Sequence, residues 1–237
     1  FDPPYIKFYT LNIFRHLVYI QKGIGPLLKE MNNYPDLELP VGILLRSACL
    51  DILQYGFIHK CFDEIKINEK NPSDNVIPDH TQLKKELRKI FSGNIKNQID
   101  DDKALKDTGE INDTELNERI EFYKRKFYWL LSEDNNFEDS YLARKIFRIL
   151  KQNSKYDIYS NVFDNYSYYS KLEHLGILTW VYTTTSNYRE IDVFKRLKSI
   201  LITIIKVYQI GFAFLQREKS DIDKMDGLID LLTGFKE

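Results

Sequence analysis

The chain has 237 residues, 43% of them hydrophobic and 29% charged, with a formal net charge of -1. That length is enough to bury a substantial core, and the apolar and charged fractions are ordinary for a globular protein. A near-zero net charge excludes a global basic field that would draw the chain to nucleic acid or an anionic membrane, so any phosphate contact has to be local.

Glycine and proline are sparse, 10 and 7 residues, while Tyr and Phe number 16 and 15. Few turn formers favour long helices over a turn-rich β-sandwich. In chain order, residues 5–31 read as helical, with a kink or break expected at Gly23, Gly25 and Pro26. The turn-like NNYPDLELP precedes a long helix at 41–66, VGILLRSACLDILQYGFIHKCFDEIK. Cys49 and Cys61 fall on that one helix with about 18 Å of rise between them, beyond disulfide reach. Free thiols suit a reducing, cytoplasmic setting. The opening FDPPYIKFYT lacks the pattern of a signal peptide.

A polar linker, NEKNPSDNVIPD, follows, and Asp79 with Gln82 has the form of a capping box opening a helix to about Phe91. Mobile loops are expected near 67–79 and at 100–113, where DDDKALKDTGEIND is the most loop-like stretch. Asn112 with Glu115 repeats the capping pattern, and Ile120, Tyr123, Phe127, Leu130 and Leu131 then share a helical face. DNNFED separates this from a short helix over Tyr141 to Lys151. The Tyr-rich 156–169 segment is ambiguous. Asn187 with Glu190 opens what reads as the longest helix, ending near Arg217, and amphipathic KMDGLIDLLTGF closes the chain. Its apolar run SILITIIKVYQIGFAFL contains Lys206 and Gln209 and is short for a membrane span, which favours a buried bundle helix and no membrane association. The expected architecture is all-α, one domain over 1–237, a bundle of six to eight helices.

Two stretches carry candidate chemistry. The helix at 41–66 is apolar nearly all round, yet Arg46 and Asp51 interrupt it. They lie about 140° apart around the axis and cannot pair well with each other. Buried charges need partners, so each has to find one elsewhere. Ser47 and Tyr55, one turn from Asp51, offer local help. The second stretch is NYSYYSKLEHLGILTW, residues 165–180. Here Glu173 is a partner for Arg46, and His174 a group that Asp51 could orient. The plainer reading makes Ser170 an N-cap and Glu173 its capping-box partner, opening a helix over Lys171 to Tyr182. It leaves Tyr166, Tyr168 and Tyr169 as packing residues and lets Arg46 snorkel to the surface.

Together LLRSACLD (44–51) and YSYYSKLEH (166–174), followed by a long apolar helix, resemble the HEPN-like helical families. The resemblance implies an α-bundle in which Arg46 lies near a polar segment holding Ser170 and His174. It also implies a homodimer, with RNA, a nucleotide or a protein as partner, in a defence or toxin–antitoxin setting. Catalytic members carry an Arg followed at a short interval by a His. No Arg stands at that interval before His59, His80 or His174, whose upstream positions are Ser167, Tyr168 and Tyr169, and His16 directly follows Arg15. A noncatalytic relative is the expectation. The alternatives are a divergent metal-independent ribonuclease, with Arg46 stabilising phosphate charge and His174 moving a proton, and an interaction protein with no small-molecule site.

Other signals are weaker. His59, Cys61 and Asp63 have metal-like spacing, but Cys61 points to another face and no further ligand is evident, so no metal is expected. No glycine-rich phosphate loop and no nucleophile elbow is present, and no cofactor is implied. LKKELRK (83–89) and YKRKFYW (123–129) mix basic and aromatic residues as single-strand binders do, although an amphipathic helix with a solvated basic face gives the same pattern.

Overall fold

A computed structural model describes residues 4–30, 33, 38–68, 80–173 and 190–214, with side-chain surroundings defined for 13–30, 33, 40–64, 84–170 and 195–210. Among these residues every regular element is helical, so the all-α class holds. The helices are α1 (Pro4–Glu30), α2 (Glu38–Asn68), α3 (His80–Asp107), α4 (Asp113–Lys126), α5 (Ala143–Leu150), α6 (Asp157–Ser160), α7 (Phe163–Glu173) and α8 (Glu190–Phe214). Single 3-10 turns stand at Tyr128–Leu130 and Ser154–Tyr156. Contacts gather the described residues into two compact units, one within 57–146 and the other within 2–56 and 147–237.

The second of these units holds the candidate residues. On α1, Ile13, Leu17, Ile20 and Ile24 recur at helical spacing and all are buried. On α8, Leu197, Ile200, Ile204 and Val207 do the same. The first half of α2 is buried on most sides, through Val41, Leu45, Ala48, Cys49, Ile52 and Leu53. Two glycines let other helices approach it closely. A Cβ at Gly42 would lie 2.6 Å from Cδ1 of the Tyr169 ring, and one at Gly56 would lie 2.5 Å from Cβ of Tyr159. The expected break in α1 is not observed: the helix runs through Gly23, Gly25 and Pro26. Burial of Ile20 and Ile24 on its inner stripe carries it past residues of poor helix propensity.

The unit within 57–146 is built on α3, α4 and the turn at Tyr128–Leu130. Leu87, Ile90, Phe91, Leu116, Leu130 and Phe137 form its core, joined by Phe57, Ile58 and Cys61 from the second half of α2. Polar bonds fix the chain after the 3-10 turn. Arg88 Nη1 donates to the Leu131 carbonyl at 2.7 Å, and the Glu138 N–H donates to Ser92 Oγ at 2.8 Å.

Residues 100–113 overturn the loop expectation. Helix α3 continues to Asp107, and only the short turn after it, with Gly109 at φ 79, separates it from α4. Charge density alone suggested a solvated stretch, but Ile99 and Asp102 face inward, and Asp102, 1% exposed, accepts a 2.7 Å bond from Arg119 of α4. Asp100 and Asp101 stay exposed. The Asn112–Glu115 capping box is present in both halves, each bond 3.0 Å. The longest helix described is α2, at 31 residues; of the helix expected to open near Asn187, Glu190–Phe214 is described. Both cysteines are buried free thiols.

Among the described residues one helix segment, Pro40–Glu64, is long and apolar enough to cross a membrane by length and composition, and 61% of its apolar window is buried within the protein. The run at 199–215 that raised the question is not that segment. Asp79, residues 69–79, the 174–182 portion of the helix anticipated after Ser170, Asn187 and the 224–235 segment lie outside the described residues.

Candidate functional site

Arg46 and Asp51 find separate partners, as their angular separation on α2 requires. Arg46 Nε donates to Ser170 Oγ on α7 at 2.9 Å, and its guanidinium lies 5.2 Å from the centre of the Tyr166 ring. Ser170 in turn donates to the Tyr166 carbonyl at 2.7 Å. Ser170 therefore sits inside α7, bonded back one turn, and is not the N-cap of a following helix. The short-range capping pattern misled because it is satisfied equally well by a serine that a helix has already absorbed.

A second arginine repeats this arrangement from α8. Arg196 Nη1 donates to Asn165 Oδ1 at 2.9 Å, and its guanidinium lies 4.1 Å from the centre of the Tyr168 ring. Each arginine thus stacks on one tyrosine of α7 and bonds a polar side chain about one turn away. Tyr166 and Tyr168 are about 200° apart on the helix, so α7 is gripped by cations from two neighbours. Tyr169, on the remaining face, is 1% exposed. The aromatic run is a packing device as much as a chemical one.

Asp51 turns to α1. Its Oδ2 lies 2.5 Å from His16 Nδ1, with side-chain exposures of 13% and 53%. Burial pushes the Asp51 carboxyl up from its ordinary value to about 6, and His16 pulls it partly back. Tyr55 and Tyr208 stand nearby: Phe14 packs on both rings, at 5.7 and 5.0 Å, and Tyr208 donates to the Phe14 carbonyl at 3.5 Å. Burial, with Asp51 adding to it, drives the Tyr208 phenol to about 12 and pushes the Cys49 thiol up as well. This is a carboxylate–imidazole pair with a half-exposed ring beside tyrosines, an arrangement able to hold and pass a proton.

The side chain of Glu173 and the whole of His174 lie outside the described residues, so the pairings expected of them, Arg46 with Glu173 and Asp51 with His174, fall there too. Of the candidates, the structure brings together Arg46 and Ser170, and it gives Asp51 a histidine that sequence reasoning passed over. In the sequence His16 is marked only by directly following Arg15. The available signal was its place on the flank of the Ile13–Leu17–Ile20 stripe, where a long α1 would set it beside α2.

The basic stretches at 83–89 and 123–129 carry local duties. Lys89 pairs with Glu86 at 2.6 Å, Arg88 holds the Leu131 carbonyl, Lys124 reaches Glu121 at 3.4 Å, and Lys126 lies over the Phe122 and Phe127 rings. His59 Nε2 stands 3.4 Å from Asp63 Oδ2, an i,i+4 pair. Among the described residues no group of three or more His, Cys, Asp or Glu side chains is placed to hold a metal ion.

Comparison of the chain with protein-family models, with characterised proteins and with solved structures finds no match.

Proposed function

We propose that the chain is a noncatalytic HEPN-like helical domain that binds RNA, acting in a cytoplasmic defence or toxin–antitoxin setting. The observation that carries this reading is the 2.9 Å bond between Arg46 on α2 and Ser170 on α7, which joins the two stretches on which the resemblance rests. The guanidinium bonds a serine and stacks on Tyr166, a holding role rather than a catalytic one. Buried free thiols at Cys49 and Cys61 accord with a reducing compartment.

A second reading, a divergent metal-independent ribonuclease, has one observation in its favour. His16, oriented by Asp51 and with its ring half exposed, has the form of a general base held by a carboxylate.

Incubation of the purified protein with mixed RNA separates the two. Retention of uncut RNA on a filter is the expected result for the binding domain. Cleavage that His16→Ala or Asp51→Asn abolishes would establish the ribonuclease instead, and cleavage lost in Arg46→Ala or His174→Ala would return the chemistry to the residues named by resemblance. RNA neither retained nor cut would remove both readings and leave an interaction protein. Sizing in solution tests the homodimer that the resemblance implies.

A further inference from the structure

Helix α4 is polarised along its length. Its acidic side chains, Asp113, Glu115, Glu118 and Glu121, all precede Phe122, and its last three residues are Lys124, Arg125 and Lys126. Two of its cations meet carboxylates: Arg119 holds buried Asp102 at 2.7 Å, and Lys124 reaches Glu121 at 3.4 Å. Lys126 instead lies 5.2 Å from the centre of the Phe122 ring and 5.6 Å from that of Phe127. Arg125 and Lys126 are both exposed, and among the described residues neither is in an ion pair. Phe122 is 44% exposed, and Tyr128, just past the helix in the 3-10 turn, is 66% exposed. Between positions 122 and 128 the chain therefore sets out a ring, two cations and a second ring towards water. A basic last turn suits the negative end of the helix dipole, which accounts for the charge. It does not account for the rings. Apolar side chains scattered singly are ordinary on a surface, but these two flank the same pair of cations.

We propose that this end of α4 is a contact surface for single-stranded RNA, with bases stacked on Phe122 and Tyr128 and phosphates met by Arg125 and Lys126. The inference rests on the RNA-binding reading and places that contact in the unit within 57–146. Every base offers a π-face, so stacking holds a strand without choosing its sequence. Arg125 brings a planar fork that can bond one phosphate through two N–H groups, and Lys126 brings a point charge. Packing behind the surface keeps these residues outward: Leu116 and Leu130 are buried, and Arg119 is drawn to Asp102 of α3. Phe122 keeps its exposure with the Tyr123 ring edge-on at 5.8 Å and Lys126 beside it, so ring surface stays open to a base. An acidic peptide would use the cations and leave both rings in water, whereas an unpaired strand uses all four side chains. A duplex keeps its bases stacked on one another, out of reach of the rings.

The test uses the full chain and fluorescence anisotropy with a short labelled oligouridylate. Phe122→Ala/Tyr128→Ala is expected to weaken binding by about tenfold or more and to leave the slope of log affinity against log salt unchanged. Arg125→Gln/Lys126→Gln is expected to weaken binding and to flatten that slope by about 1.4, at roughly 0.7 per single-strand phosphate contact. The matched change Tyr19→Ala/Lys22→Gln, an exposed ring and cation on α1, is expected to bind as wild type does. If both α4 variants also bind as wild type does, the surface is overturned and the RNA reading stands. Loss confined to the charge variant, equal affinity for an RNA duplex, or displacement by oligoglutamate as effective as by unlabelled oligouridylate would leave a plain anion contact and overturn the proposal. Wild type that binds no oligonucleotide would overturn both the surface and the RNA reading. If the double ring variant fails to fold, Tyr128→Ala decides: a several-fold loss that Tyr128→Phe restores supports the surface, and unchanged affinity removes it.

Discussion

Arg46 reaches from α2 to Ser170 of α7 at 2.9 Å, and that hydroxyl donates its own hydrogen bond to the Tyr166 carbonyl one turn back. The guanidinium lies over the ring of the same Tyr166, so one arginine holds both a side chain and the ring beside it. Arg196 treats Asn165 and Tyr168 likewise from α8. The short helix α7 is thereby fixed in rotation by two cations that approach from different directions. Local propensity alone would not hold an 11-residue helix.

Arg46→Ala is expected to lower stability by about 2 kcal/mol, the sum of a charge-assisted hydrogen bond and a partly exposed cation–π contact. Arg144→Ala, at an exposed position on α5, is expected to change it by less than about 0.5 kcal/mol. A denaturant-based double-mutant cycle of Arg46→Ala with Ser170→Ala checks the pairing directly, and a coupling below about 0.5 kcal/mol would show that the two side chains act independently.

The glycines of the long helices are expected to respond in opposite directions. Gly56→Ala would drive a methyl group to within 2.5 Å of Tyr159 Cβ and Cγ, atoms close to the backbone that cannot swing aside. Overpacking of that kind costs about 3 kcal/mol and outweighs the gain of about 1 kcal/mol in helix propensity. Gly25→Ala on α1 meets nothing within 4 Å and is expected to stabilise by about 0.5–1 kcal/mol. Thermal melts of the two variants check the contrast, and a stabilised Gly56→Ala would mean that α6 does not rest on α2 there.

The all-α class, the burial of α2 and the need for outside partners at Arg46 and Asp51 were legible because each follows from spacing along one helix. An arginine and an aspartate on different sides of an apolar helix must look to different neighbours, and they do: α7 for one, α1 for the other. The identity of those neighbours was half legible. Ser170 stood within a segment already singled out, while His16 lay in a helix whose polar positions carried no motif. The loop expected at 100–113 failed for a related reason. Asp102 reads as a solvated charge until α4 folds back and supplies Arg119. Such pairings depend on which helix returns beside which, and a local pattern does not contain that.

The capping box at Asn112 offers a check on the part of the fold that local sequence does determine. Its side chain accepts from the Glu115 N–H, and Glu115 accepts from the Asn112 N–H, each at 3.0 Å. Asn112→Ala is expected to cost about 1 kcal/mol and Asn112→Asp to be nearly neutral, because aspartate caps equally well and suits the positive end of the helix. Amide exchange across the first turn of α4 checks this: protection there should fall in the alanine variant and not in the aspartate variant.

The His16–Asp51 pair makes a prediction about pH whose sign follows from burial. The Asp51 carboxyl titrates at about 6 in the fold against 3.8 ordinarily, because burial disfavours its charge more than His16 favours it. A raised value means that the folded protein holds the proton more tightly than the unfolded chain. The stabilising contribution is therefore complete below about pH 4 and is lost as pH rises through about 6. Its size is of order 2–3 kcal/mol, at about 1.4 kcal/mol per unit. The other groups around the carboxyl, Cys49 and Tyr208, are both pushed up and stay neutral across this range. Asp51→Asn has no proton to lose, so its stability relative to wild type is expected to improve by that amount between about pH 4 and pH 7. Denaturant titrations of both proteins at several pH values measure the difference. If wild type instead gains on the variant as pH rises, the attraction of His16 outweighs burial, and Asp51 is an ordinary ionised partner of a surface histidine.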